Sequence, residues 1–242
     1  MKSILALVDS IQAEESPVSA LRFIDLEYNS STRRVFEIGM CDANGTVTMD
    51  CLTSYGSKAL HAVTNDDTVV ERRIDGIIET SVKQHHCAHG SITAKQVADE
   101  LRLQGISQET IFVSWHSNAF SLSLSREWLE SEGEYGVLPP GPHCIPTIPY
   151  FRRNLGDVKS KNGRDFPLSL PTMSPTMMTP RHELYGRNRH AIIDAQQLKC
   201  MTDVFGTLCR LQDRRDGWLE HLRHTAGRPS LHQARLEPFW AQ

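Results

Sequence analysis

Two carboxylates stand two residues apart in Arg22-Phe23-Ile24-Asp25-Leu26-Glu27-Tyr28, inside an otherwise apolar, strand-like run. In a strand, that spacing puts Asp25 and Glu27 on one face and sends Ile24 and Leu26 to the other, toward a core. Like charges this close repel unless a cation lies between them. The pair therefore reads either as one wall of a divalent-metal site at a rim or cleft, or as the solvated face of an edge strand. A third carboxylate, Asp194, shares a helical stripe with Leu198, Met201 and Phe205, the face that should pack on a sheet. Buried there, it needs a cation or strong hydrogen bonds; the alternative is an acidic residue near a helix N-terminus, stabilised by the dipole.

Three further groups carry potential chemistry. His85-His86-Cys87-Ala88-His89 offers zinc-type donors, although structural zinc sites draw on two separated pairs and His143-Cys144 is the only similar dipeptide elsewhere; the other reading is a polar loop. Arg152, Arg153, Lys159, Lys161 and Arg164, offset by Asp157 and Asp165 and flanked by Tyr150 and Phe151, can guide a phosphate backbone and stack a base, or form a solvated loop. Phe239 and Trp240 near the C-terminus read as docking on the domain rather than as a partner site.

The elements that must position these groups follow from pattern. Leu21 onward, Val35 to Cys41 and Thr46 to Tyr55 read as three antiparallel strands, with Asp42-Ala43-Asn44-Gly45 as the turn between the second and third. Residues 57 to 92 are polar, with Ile74, Ile77 and Ile78 as expected anchors. Thr93-Ala94-Lys95-Gln96 is a capping box opening a helix whose Ala94, Val97 and Leu101 face inward and which stops at Gly105. A strand over Ile111 to Trp115 and a helix over Ser121 to Glu130 come next. Nine of the twelve prolines lie between Pro139 and Pro180, so Leu168 to Pro180 is expected to be a flexible flap. A helix from His190 to Leu208 and another carrying Trp218, Leu219 and Leu222 close the chain. This order predicts an α/β mixed sheet flanked by helices, with a leader over 1 to 20, a domain over 21 to 208 and a helical extension over 209 to 242.

The motifs in sequence resemble the DEDDh, or DnaQ-like, 3'-5' exonucleases of the RNase H-like superfamily. Phe23 to Glu27 with the following strand matches the first motif. His116-Ser117-Asn118-Ala119-Phe120-Ser121 stands where His-Asn-x-x-Phe-Asp is expected, and Arg189-His190-Ala191-Ile192-Ile193-Asp194 where His, four residues and Asp lead the last helix. The resemblance implies an RNase H-like sheet, Asp25, Glu27 and Asp194 as ligands of Mg or Mn, and a single-stranded RNA or DNA 3' end as partner. It also implies contacts to nucleic acid from Asn118, Arg152, Arg153 and Arg189. Two positions depart from the family. Ser121 replaces a carboxylate, and a neutral hydroxyl is a poor ligand for a hard cation. Arg189 replaces the His; His190, one residue on, still lies four before Asp194 and can act as base or bond Asp194, and His182 is a second candidate. The expected function is thus a pseudo-nuclease binding nucleic acid or a protein, with an active exonuclease as the alternative.

Whole-chain properties bound these readings. The chain has 242 residues, 39% hydrophobic and 23% charged, and its net charge of -3 demands a local basic patch for any polyanion partner. No apolar run reaches the roughly 20 residues of a membrane span. Ile4-Leu5-Ala6-Leu7-Val8, cut short by Asp9, reads as a docking helix rather than a secretory signal. Six cysteines without a C-x-x-C pair fit reduced thiols in cytosol or nucleus.

Overall fold

In the computed structural model, the described residues are 21–54, 69–156, 158–159, 165–187 and 189–225. The leader, Asp157, Lys161, Arg164, Phe239 and Trp240 lie outside them. The strands are β1 (Leu21–Tyr28), β2 (Val35–Asp42), β3 (Val47–Ser54), β4 (Ser91–Thr93), β5 (Ile111–Ser114) and β6 (Cys144–Pro146). The helices are α1 (Val69–Val82), α2 (Ala94–Leu103), α3 (Phe120–Ser131), α4 (Ile148–Leu155), α5 (Leu170–Met177), α6 (Ala191–Arg210) and α7 (Gln212–Thr225). They build a mixed α/β architecture around one six-stranded sheet of order β4-β3-β2-β1-β5-β6. The first three strands pair antiparallel, while β4 joins β3, β5 joins β1 and β6 joins β5 in parallel. β1 is therefore central, which removes the edge-strand reading of Asp25 and Glu27.

The turn at residues 42–45 fixes the register. Asp42 Oδ1 accepts the N–H groups of Asn44 and Thr46, and Gly45 takes a φ of 84° that a side chain would resist. Registration then places Asp25 opposite Gly39, Glu27 opposite Glu37, and Gly39 opposite Asp50. Cross-strand partners share a face. One face of the meander is apolar throughout: Ile24, Leu26, Ile38, Met40, Met49 and Cys51 pack under α2 and α3. The other is apolar only at the end of Phe23 and Cys41, which meet α4 to α7, and acidic at the end of Asp25, Glu27, Glu37 and Asp50.

The capping box at α2 forms as expected: Gln96 N–H bonds Thr93 Oγ1 and Thr93 N–H bonds Gln96 Oε1. Thr93→Ala is expected to lower the free energy of unfolding by about 1 kcal/mol in urea titration, with an unchanged slope.

Two expectations are corrected. The polar stretch 57 to 92 contains the helix α1, but Ile74 and Ile77 do not anchor it: they are 40% and 67% exposed. The expected flap is the helix α5, with Met173, Met177 and Met178 buried. Pro171 occupies its first turn, where no N–H partner is needed, so only Pro175 forfeits a helical bond. Burying Leu170 and the three methionines, at about 2 kcal/mol each, outweighs that loss. α6 runs from Ala191 to Arg210. Trp218 and Leu222 of α7 are fully buried against the same core. No described helix is long and apolar enough to cross a membrane.

Candidate metal centre

The acidic end of the sheet is capped by the first turn of α6. A Cβ on Gly39 would lie 2.1 Å from the backbone of Ala191 and Ile192, so the helix rests directly on the glycine. That contact brings His190 and Asp194 down among the strand carboxylates.

Asp25, Glu27 and Asp194 interact strongly there. Burial pushes the Asp194 carboxyl up to about 7, with repulsion from Glu27 next in weight. Asp25 is raised well above the carboxylate range by burial, then by Asp194 and Glu27. Glu27 is raised by burial and by Glu37, against the opposing pull of His85, Arg189 and His190. Asp194 is 8% exposed, and its Oδ1 has no hydrogen-bond partner among the described residues. These charges are held in water-poor surroundings with too few donors, a state a cation relieves.

The tightest set of donor atoms is a neighbouring one. Ligand atoms of Glu37, Asp50, Cys87 and His190 all lie within 4.8 Å of one another, and this buried cluster can hold a metal ion. Of the residues expected from sequence, His190 belongs to it; Asp25, Glu27 and Asp194 do not. Glu37 is completely buried, with His85 Nδ1 2.9 Å from Oε2, His190 Nδ1 2.6 Å from Oε1, and the Cys87 thiol donating to Oε1 at 3.6 Å. The two imidazoles stack, 4.5 Å between centroids and 8° from parallel. Contact with Glu37 raises the His190 pKa, whereas burial and then Glu37 and Asp50 push the Cys87 thiol up. Asp50 Oδ2 accepts the Ala88 N–H at 2.8 Å, and its Oδ1 is buried with no partner. His89 closes the loop onto β3, its N–H donating to Asp50 O at 2.9 Å.

Thus His85-His86-Cys87-Ala88-His89 does join a donor cluster, but its partners come from β2, β3 and the start of α6. Cys144 sits on β6 at the opposite edge of the sheet, its Sγ 3.3 Å from Ser114 Oγ. Sequence reasoning missed Glu37 and Asp50 because each stands among apolar strand residues. The detectable signal was the turn at residues 42–45, which sets their register beside Gly39.

The remaining expected residues are placed as follows. Ser121 is buried at the start of α3 and its hydroxyl has no hydrogen-bond partner among the described residues. Phe120 and His116 pack on Tyr28, at 5.0 and 6.1 Å between ring centroids, which sets this motif beside the end of β1. Burial lowers the His116 pKa. Asn118 and Arg189 are exposed, and Arg189 adopts a positive φ of 64°. His182 turns to α6, with Nε2 3.9 Å from Cys200 Sγ. Arg152 and Arg153 are exposed on the last turn of α4, and Lys159 pairs with Asp165 at 2.7 Å. Phe151 is not available to stack a base: it is buried 4.0 Å from Phe205 and edge-on to Trp115. Comparison of the chain with protein-family models, curated proteins and solved structures found no match.

Proposed function

We propose that this chain is an RNase H-like domain related to the DEDDh exonucleases that works as a pseudo-nuclease, holding a single-stranded nucleic-acid 3' end without cutting it. Support for the fold comes from the strand order: three antiparallel strands, then β5 and β6 parallel to β1, with β4 added at the edge. The observation that carries the pseudo-nuclease reading is Ser121. It occupies the position of a carboxylate in the resemblance, is fully buried, and has only Leu124, Ser125 and Trp128 on the inward face behind it. Asp25, Glu27 and Asp194 then form three sides of a site for Mg or Mn whose fourth side is neutral, which weakens the affinity for a hard cation. The exposed guanidinium groups of Arg189, Arg152 and Arg153 supply phosphate contacts.

The test uses 5'-labelled single-stranded RNA and DNA with magnesium or manganese. Binding without shortening is expected. Arg189→Ala combined with Arg152→Ala and Arg153→Ala should weaken binding about tenfold or more and flatten its salt dependence. Manganese-stimulated shortening that disappears in Asp25→Ala would instead establish the active exonuclease. Capture of a protein with no affinity for either nucleic acid would replace the nucleic-acid partner with a protein one.

A further inference from the structure

We propose that Glu37, Asp50, Cys87 and His190 form a zinc site, separate from the Asp25–Glu27–Asp194 group, that fastens the loop before β4 and the start of α6 to the sheet. The donor set argues for the metal. A thiolate and an imidazole beside two carboxylate oxygens suit a borderline-soft ion that accepts four ligands tetrahedrally, whereas magnesium, manganese and calcium prefer oxygen alone. Ordinary zinc–ligand lengths put donors of a tetrahedral site about 3.3–3.5 Å apart. Here Glu37 Oε1 is 3.6 Å from Cys87 Sγ and 2.6 Å from His190 Nδ1, and no pair of ligand atoms exceeds 4.8 Å. Zinc at this point requires the Glu37–His190 pair to open while the Glu37–Cys87 pair is already near that spacing.

The surroundings are built as the outer layer of a metal site is built. Each carboxylate has one oxygen anchored away from the centre, Glu37 Oε2 by His85 and Asp50 Oδ2 by the Ala88 N–H. The other Asp50 oxygen is buried and unbonded, and His190 Nδ1 makes its close approach to Glu37 off the line of a hydrogen bond. Such held second atoms fix ligand orientation and keep the donor atoms free for the ion. Zinc also offsets most of the local charge: against two carboxylates and a thiolate it leaves one negative charge where the metal-free cluster gathers only acidic groups and an imidazole. On binding, the Cys87 S–H bond breaks, the sulfur pair goes to zinc and the proton goes to solvent.

The consequence is positional. Four donors come from β2, β3, the segment before β4 and the residue that precedes α6. Zinc at their centre holds His190, and Asp194, whose N–H bonds His190 O at 2.9 Å, is carried with it. The zinc site stands on its own donors, so it holds or fails independently of the nuclease-related reading.

The full-length chain is titrated with zinc against a chromophoric chelator, and separately with cobalt(II) as a spectroscopic probe. One zinc per chain is expected, with affinity at least 100-fold weaker in Cys87→Ser and in His190→Ala. His86→Ala should keep the wild-type affinity. The cobalt complex should show tetrahedral bands and a thiolate-to-cobalt charge-transfer band that persists in Cys200→Ser and Cys209→Ser. If Cys87→Ser does not fold, the wild-type cobalt spectrum still decides, because the charge-transfer band requires a sulfur ligand. No zinc uptake, an oxygen-only cobalt spectrum, or undiminished affinity in a folded Cys87→Ser would overturn the proposal.

Discussion

Gly39→Ala is expected to cost about 3 kcal/mol or more, enough to leave little folded protein at 37 °C. The added methyl would meet Ala191 C and Ile192 N at 2.1 Å, and both are backbone atoms of a helix with no flexible tip to swing aside. Relief requires α6 to lift from β2, which withdraws His190 and Asp194 from the strand carboxylates and strips apolar contact from Phe23 and Cys41. Gly76→Ala provides the contrast within the same chain. Gly76 lies inside α1 with nothing within 4 Å of an added Cβ, so alanine there should stabilise by about 0.5–1 kcal/mol. Urea unfolding of both variants checks the pair. A Gly39→Ala protein as stable as wild type would mean that α6 does not sit on the sheet at this point.

Stability of the metal-free protein is expected to fall as pH rises from about 4 toward 7, opposite to the usual behaviour of a salt-bridged acid. In the unfolded chain the Asp194 carboxyl ionises near the ordinary value of about 3.9. In the folded chain, burial and Glu27 hold it up to about 7. Between those values the native state keeps a proton that the unfolded state has released. The stabilisation is therefore complete below the lower pKa and is lost as pH passes through the higher one. His190 acts in the same sense: its pKa is raised by Glu37, so its contribution is present below the unfolded value and lost as pH rises. The loss from Asp194 is on the order of 2–4 kcal/mol. Asp194→Asn should flatten this slope and leave the apo protein more stable than wild type at pH 8, as read by thermal unfolding in chelator. If the melting temperature instead climbs steadily from pH 4 to pH 8, the carboxylate is not held in this environment.

The sheet was legible in the sequence where the signal was local. An apolar run carrying Asp25 and Glu27 two residues apart gave β1, the turn at residues 42–45 gave the hairpin, and the Thr93–Gln96 box gave the start of α2. Stripe periodicity gave α6. Local signals misled at α5, because prolines mark where a helix loses bonds and say nothing of the four apolar side chains that repay the loss in the core. They also misled at α1, whose Ile74 and Ile77 point outward while its Asp75 is buried against Asn29. Of the site, the Asp25 and Glu27 pair and His190 were visible. Glu37 was not, because β2 is buried on both faces and an acid amid Val35, Phe36 and Ile38 carries no periodic mark. What identifies Glu37 is its neighbours across strands and loops, and those are set by pairing at long range.

The seat of α6 on Gly39 has a further consequence for how the chain acquires its structure. Gln196 Nε2 reaches back to Gly45 O across 151 positions, and the Glu37 carboxylate meets His190 over a similar span. During synthesis the β1 to β3 meander emerges roughly 10–30 s before the segment that covers its acidic end, at ordinary elongation rates. Until then Glu37 and Asp50 must stay hydrated, and the apolar strip beside Phe23 has no lid. The meander therefore completes its native packing only once the segment that forms α6 has been made. Truncations ending before residue 190 should accumulate as chaperone-bound or aggregated chains rather than as a smaller folded unit.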